Sequence, residues 1–142
     1  MENKNIKTIS VSVSVNAPIE KVWEHWNEPK YITQWYNASD DWHSPYAEND
    51  LRVGGKFKTT MAAKDGSAAF DFEGVYTSIV FNKQIVYDVS DGRKVIVKFY
   101  VKNNETMIEE TFDPEEINSI ELQRGGWQAI LNNFKSHVEK IN

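Results

Sequence analysis

The sequence predicts an α+β fold: a curved, seven-stranded antiparallel sheet, in the order β-α-α-β6-α, wrapped around one long C-terminal helix. Three observations carry that expectation. Near the end of the chain Trp127, Ile130, Leu131, Phe134, Val138 and Ile141 recur every three or four residues, the stripe of an amphipathic helix that needs a partner surface. From Ile6 to Val15, Ile9, Val11, Val13 and Val15 alternate with Thr8, Ser10, Ser12 and Ser14, as in a strand with one wet face. Between these two segments Asp65-Gly66, Asn82-Lys83, Ser90-Asp91-Gly92 and Asn103-Asn104 punctuate alternating runs like the turns of a meander.

Taken in order, the first strand runs into Asn16-Ala17-Pro18, a helix start followed by Ile19, Val22, Trp23 and Trp26 at helical spacing. Glu28-Pro29 begins a second short helix carrying Tyr31, Ile32 and Trp35. Periodicity then disappears from Tyr36 to Asp50, which predicts a long loop; its Trp42 and Tyr46 either cover the edge of the core or form a lid over a pocket mouth. Strands are expected at 51–53, turned by Gly54-Gly55, and then at 56–63, 68–80, 84–89, 93–102 and 105–112. For the terminal helix, Asn118 with Glu121 fits a capping box, and Asp113-Pro114-Glu115-Glu116 offers a second start. Ile120 and Leu122 extend its stripe. Gly125-Gly126 costs up to about 1 kcal/mol per residue in helix propensity. That cost fits either close packing of the helix backbone on the sheet or a weak point where the helix bends away to admit a ligand.

The turns also imply register. A two-residue turn at Asp65-Gly66 pairs Met61 with Phe70, Thr59 with Phe72 and Lys58 with Glu73, setting opposite charges on the wet face. A turn at Asn103-Asn104 pairs Phe99 with Ile108, Val97 with Glu110, Val95 with Phe112 and Lys98 with Glu109. Glu110 therefore shares the inner face with apolar side chains. A two-residue turn at Asp91-Gly92 would put Asp88 inside and Tyr87 outside. A three-residue loop at Ser90-Asp91-Gly92, with Gly92 left-handed, instead turns Ile85, Tyr87 and Val89 inward and is preferred because it buries three apolar side chains at once.

At 142 residues the chain suits one domain, 1–142, with a sizeable core. A net charge of -5 argues against nucleic acid and anionic membrane surfaces as partners. The absence of cysteine excludes disulfides, thiolate metal sites and a cysteine nucleophile. No apolar leader and no run approaching 18 apolar residues is present, so a cytoplasmic protein is expected. Asp40-Asp41-Trp42-His43 has metal-ligand residue types without a coordination pattern, so neither metal nor cofactor is expected. His25 and His137 read as surface residues without partners. The serines lack a nucleophile elbow and the glycines lack phosphate-cradle spacing.

Ala17-Pro-Ile-Glu-Lys-Val-Trp23, Leu51-Arg-Val-Gly-Gly-Lys-Phe57 and Gln123-Arg-Gly-Gly-Trp-Gln-Ala-Ile-Leu131, in this element order, resemble the START-like (SRPBCC, helix-grip) superfamily. Within it the chain resembles the stand-alone bacterial branch related to the activator of the heat-shock protein 90 ATPase. The resemblance covers essentially the whole chain, and it implies an apolar or amphipathic small molecule held between sheet and terminal helix. Aromatic residues make up 13% of the chain, and large rings around such a sheet favour a cavity because they leave gaps that smaller side chains would close. The expected wall comprises Trp35, Trp42, Phe57, Met61, Phe72, Tyr87, Val97, Phe99, Glu110, Trp127 and Leu131. Two alternatives stay open: a chaperone-associated interaction protein, and a cyclase- or dehydratase-like enzyme using Glu110 with Tyr87. No catalytic residue is assigned, and the chain is expected to be a monomer or homodimer.

Overall fold

The computed structural model describes residues 8–140, so Ile6 of the first predicted strand and Ile141 of the helical stripe lie outside the described residues. The elements are β1 (Ile9–Val15), α1 (Ile19–Asn27), α2 (Pro29–Trp35), β2 (Trp42–Asn49), β3 (Lys56–Ala63), β4 (Ala69–Val80), β5 (Gln84–Val89), β6 (Lys94–Lys102), β7 (Glu105–Phe112) and α3 (Ile120–Lys140). All seven strands form one antiparallel sheet in the order β1-β7-β6-β5-β4-β3-β2. The sheet curls around α3, and the two short helices connect its edge strands β1 and β2 along the chain, α2 packing on β2. Inward residues of β1, β5, β6 and β7 form one hydrophobic cluster with α1, α2 and the apolar stripe of α3.

The registers follow the turn chemistry. Met61 pairs with Phe70 and Lys58 with Glu73, while Phe99 pairs with Ile108 and Val97 with Glu110. The Ser90-Asp91-Gly92 loop has Gly92 at φ 96°, a left-handed backbone that glycine adopts without steric cost. It turns Ile85, Tyr87 and Val89 into the core.

Two stretches differ from expectation. Residues 36–50 are not one long loop, because β2 lies within them as an edge strand paired to β3. Its register slips between His43 and Tyr46. The slip breaks the period of two that would have exposed the strand in the sequence, and Pro45 is tolerated because an edge strand leaves one row of N–H groups unpaired. The expected strand at 51–53 is instead a turn: the Arg52 amide donates to the Asp50 carbonyl at 2.9 Å, and the Gly55 amide to the Arg52 carbonyl at 2.8 Å.

The start of α3 also differs. Ser119, not Asn118, is the cap, its Oγ accepting from the Leu122 amide at 3.1 Å. Gln123 ties the incoming chain to the helix. Its Oε1 accepts from the Glu115 amide at 2.9 Å, and its Nε2 donates to the Asn118 carbonyl at 2.8 Å.

His25 and His137 are not free surface residues. His25 is 4% exposed. Its Nδ1 lies 3.0 Å from Nε2 of His137, and its ring stacks on Tyr31 at 3.7 Å. Sequence spacing gave no hint of this pair, because α1 and α3 meet only in the folded chain.

Candidate functional site

The cavity begins with what α3 omits. A Cβ added at Gly125 or Gly126 would meet nothing within 4 Å, so neither glycine serves a close approach of helix to sheet. Gly126 faces a void of about 310 Å³ between α3 and the sheet. Next to it Trp127 lies flat on Phe112, ring centroids 3.8 Å apart, and meets Phe72 edge-on at 6.0 Å. The indole is thereby held against the sheet, and the space beside it stays open.

The strands bring Met61, Phe70 and Phe72 to this void, and the short helices bring Trp26, Trp35 and Tyr36. Phe70, 53% exposed, and Leu122, 62% exposed, are also in the lining, so apolar surface there is open to solvent. Arg93, Glu115, Asn118 and Gln123 supply its polar side. The Arg93 Nε donates to both carboxylate oxygens of Asp91, at 2.9 and 3.1 Å.

A smaller chamber of about 40 Å³ adjoins the first and shares Trp26, Trp35, Tyr36 and Glu110 with it. Phe57, Thr59, Tyr76 and Tyr87 complete most of its lining. Gly74 makes room here, since a Cβ at that position would come within 2.6 Å of the Phe57 ring. The Tyr76 hydroxyl donates to Asn49 Oδ1. Asn49 Nδ2 in turn donates to the Asn27 carbonyl at 2.8 Å, tying the chamber to the end of α1.

Glu110 is the chemical feature of both chambers. β7 places it on the inner face opposite Val97 of β6 and Val11 of β1. It is 6% exposed, and burial pushes its carboxyl group up to about 8. Tyr36 and Tyr87 are raised well above their ordinary value, first by burial and then by neighbours that include Glu110. Glu110 and these phenols therefore favour their neutral, protonated forms. Such a set donates and accepts hydrogen bonds. Among the described residues no group of three or more potential ligands could hold a metal ion.

Of the expected wall, Trp35, Met61, Phe72, Glu110 and Trp127 line the larger void, while Phe57 and Tyr87 line the smaller chamber. Val97 and Leu131 are fully buried in the core. Phe99 packs edge-on against Trp23 at 5.2 Å and Trp26 at 5.6 Å. Trp42 sits on the edge strand against Phe70, ring centroids 5.9 Å apart. Sequence reasoning left out Trp26, Tyr36, Phe70, Gly126 and Ile130, which also line the larger void. The pairing of Phe70 with Met61 was a usable signal for one of them, because it set both on the inner face.

The family profile described as Activator of Hsp90 ATPase homolog 1-like protein matches residues 16–139. Among solved structures, an AHSA1-like protein from Aeromonas hydrophila is 43% identical with a TM-score of 0.89, covering 94% of this chain and 93% of its own. A protein from Cytophaga hutchinsonii is 56% identical with a TM-score of 0.81, covering 94% of this chain and 92% of its own. A protein from Chromobacterium violaceum, 21% identical with a TM-score of 0.83 and covering 94% of this chain and 97% of its own, shares the fold. No curated protein matches the chain.

Proposed function

This chain belongs to the Activator of Hsp90 ATPase homolog 1-like family, and from that premise we propose that it binds a small apolar or amphipathic molecule between the curved sheet and α3. The observation that carries this reading is the void of about 310 Å³ beside Gly126. Pockets of this size, mostly apolar with a few convergent polar groups, are the usual form of a small-molecule site. Covering ~300 Å² of apolar ligand surface would contribute up to about 7 kcal/mol before the costs of association. Three features support binding over catalysis. Rings line much of the wall, apolar side chains outnumber polar ones, and Glu110 has no cationic or imidazole partner among the groups that shift it.

Native mass spectrometry of the protein purified from its source cells tests the reading. The expected result is a bound mass that is lost on denaturation. A bare polypeptide from freshly lysed cells, together with no uptake of neutral naphthalene probes, would sink it.

A further inference from the structure

Resting on that reading, we propose that the ligand is uncharged and carries a carbonyl oxygen on an apolar body, and that the Glu110 carboxyl group holds this oxygen by donating a hydrogen bond. Glu110 reaches both chambers. Among the described residues no side chain hydrogen-bonds its carboxyl group, so its proton has no protein acceptor there. A buried polar group left unmatched is costly, and a ligand that matches it gains selectivity over one that does not.

The surroundings decide which ligand group matches. Lining the smaller chamber with Glu110 are Tyr36 at the end of α2, Tyr76 of β4, Tyr87 of β5 and Glu48 of β2, none of them a cation. The one cation among the described residues lining the larger void, Arg93, is paired with Asp91. An ammonium group on the ligand would require Glu110 to ionise, and both charges would have to leave water. The raised titration of Glu110, caused by burial, points the same way.

An anionic ligand would be drawn to Arg93 and the start of α3, where Asp91 and Glu115 already supply negative charge. The Arg93 Nε is paired with Asp91 at 2.9 Å. Glu115 accepts from the Ile117 and Asn118 amides at 2.6 and 2.8 Å, and Ser119 accepts from the Leu122 amide. The remaining match is a neutral acceptor. A carbonyl has two lone pairs and no proton of its own, so it satisfies the protonated acid without adding an unmatched donor.

Binding of three probes with one ring system tests this: 2-acetylnaphthalene, 2-ethylnaphthalene and (2-naphthylmethyl)ammonium, each followed by tryptophan fluorescence at about pH 6.5 and about pH 9, either side of the Glu110 titration. At the lower pH the ketone should bind about tenfold more tightly than the hydrocarbon, the scale of one well-made hydrogen bond. That preference should fade at the higher pH, where Glu110 loses its proton. Glu110→Gln keeps a donor and should retain the preference at both pH values, whereas Glu110→Leu should abolish it and still bind the hydrocarbon. If the leucine variant fails to fold, the glutamine variant and the pH comparison decide.

Equal binding of ketone and hydrocarbon at the lower pH overturns this inference and leaves the binding reading standing. The same holds if the ammonium probe binds tightest. If none of the three binds, the binding reading fails and this inference fails with it.

Discussion

From Leu131 to Val138, α3 is packed as a core helix, with Leu131, Phe134 and Val138 fully buried. Phe134 meets Trp26 at 5.0 Å and Trp35 at 4.8 Å, both edge-on. From Gln123 to Ile130 the same helix borders a void, with Gly126 where a side chain would otherwise point and one indole lying flat on the sheet. Each half also has a buried titratable site, and the two are treated differently. Next to the packed half, His25 and His137 lie within hydrogen-bonding distance, so one ring can donate to the other. In the open half Glu110 has no such partner among the described residues. Packing and polar pairing are thus completed at one end of the helix and left incomplete at the other, where a ligand would complete them.

The largest expected effect concerns pH. Folded Glu110 keeps its proton to about 8, against 4.5 ordinarily. Between those values the folded chain binds more protons than the unfolded one, so this site costs stability as pH rises, by up to about 5 kcal/mol once pH exceeds 8. Glu110→Gln should therefore gain stability over the parent progressively from pH 4.5 to 8 and then level off, as read by urea unfolding. The histidine pair has the opposite sign. Burial, the largest cause, holds both rings below 6.5, so the unfolded chain takes up protons first. Stability should fall as pH drops through that value, and less so in His137→Gln. A Glu110→Gln difference that is flat with pH would erase the contrast between the two sites.

Next in size is the packing contrast itself. Phe134→Ala should cost about 3–5 kcal/mol, since a fully buried ring leaves a gap that its neighbours close only in part. Trp127→Ala should cost markedly less, roughly 1–2 kcal/mol, because the ring is already half-buried beside open space. It should also weaken probe binding. Equal losses in urea midpoint would show that the two halves are packed alike.

The smallest change in stability is expected at the glycines. Gly125→Ala should gain about 1 kcal/mol in helix propensity and leave probe binding unchanged, because Gly125 is exposed and outside the cavity lining. Gly126→Leu should gain a similar amount and abolish binding of 2-ethylnaphthalene by filling the void. Binding that survives Gly126→Leu would move the site elsewhere.

Much of this frame was legible because its signals are local. Asp65-Gly66 and Asn103-Asn104 set register within a few residues, and register put Glu110 on the inner face before any contact was known. β2 was illegible because one slipped residue destroys its period, and an edge strand needs no second apolar face to betray it. The cavity was legible only in outline. Trp35 and Trp127 were placed by helical spacing, but Val97, Phe99 and Leu131 face inward just as Met61 and Phe72 do, and facing inward does not distinguish a core contact from a cavity wall.

Local order along the chain determined every element but β2, most strand pairings, the inward carboxylate and the membership of α3 in the core. Only the tertiary structure decided where packing stops, which residues border the void, and that His25 meets His137. Period and turn chemistry are properties of neighbours in the chain. A void, like a contact between two helices, depends on the fit of surfaces brought together from distant segments.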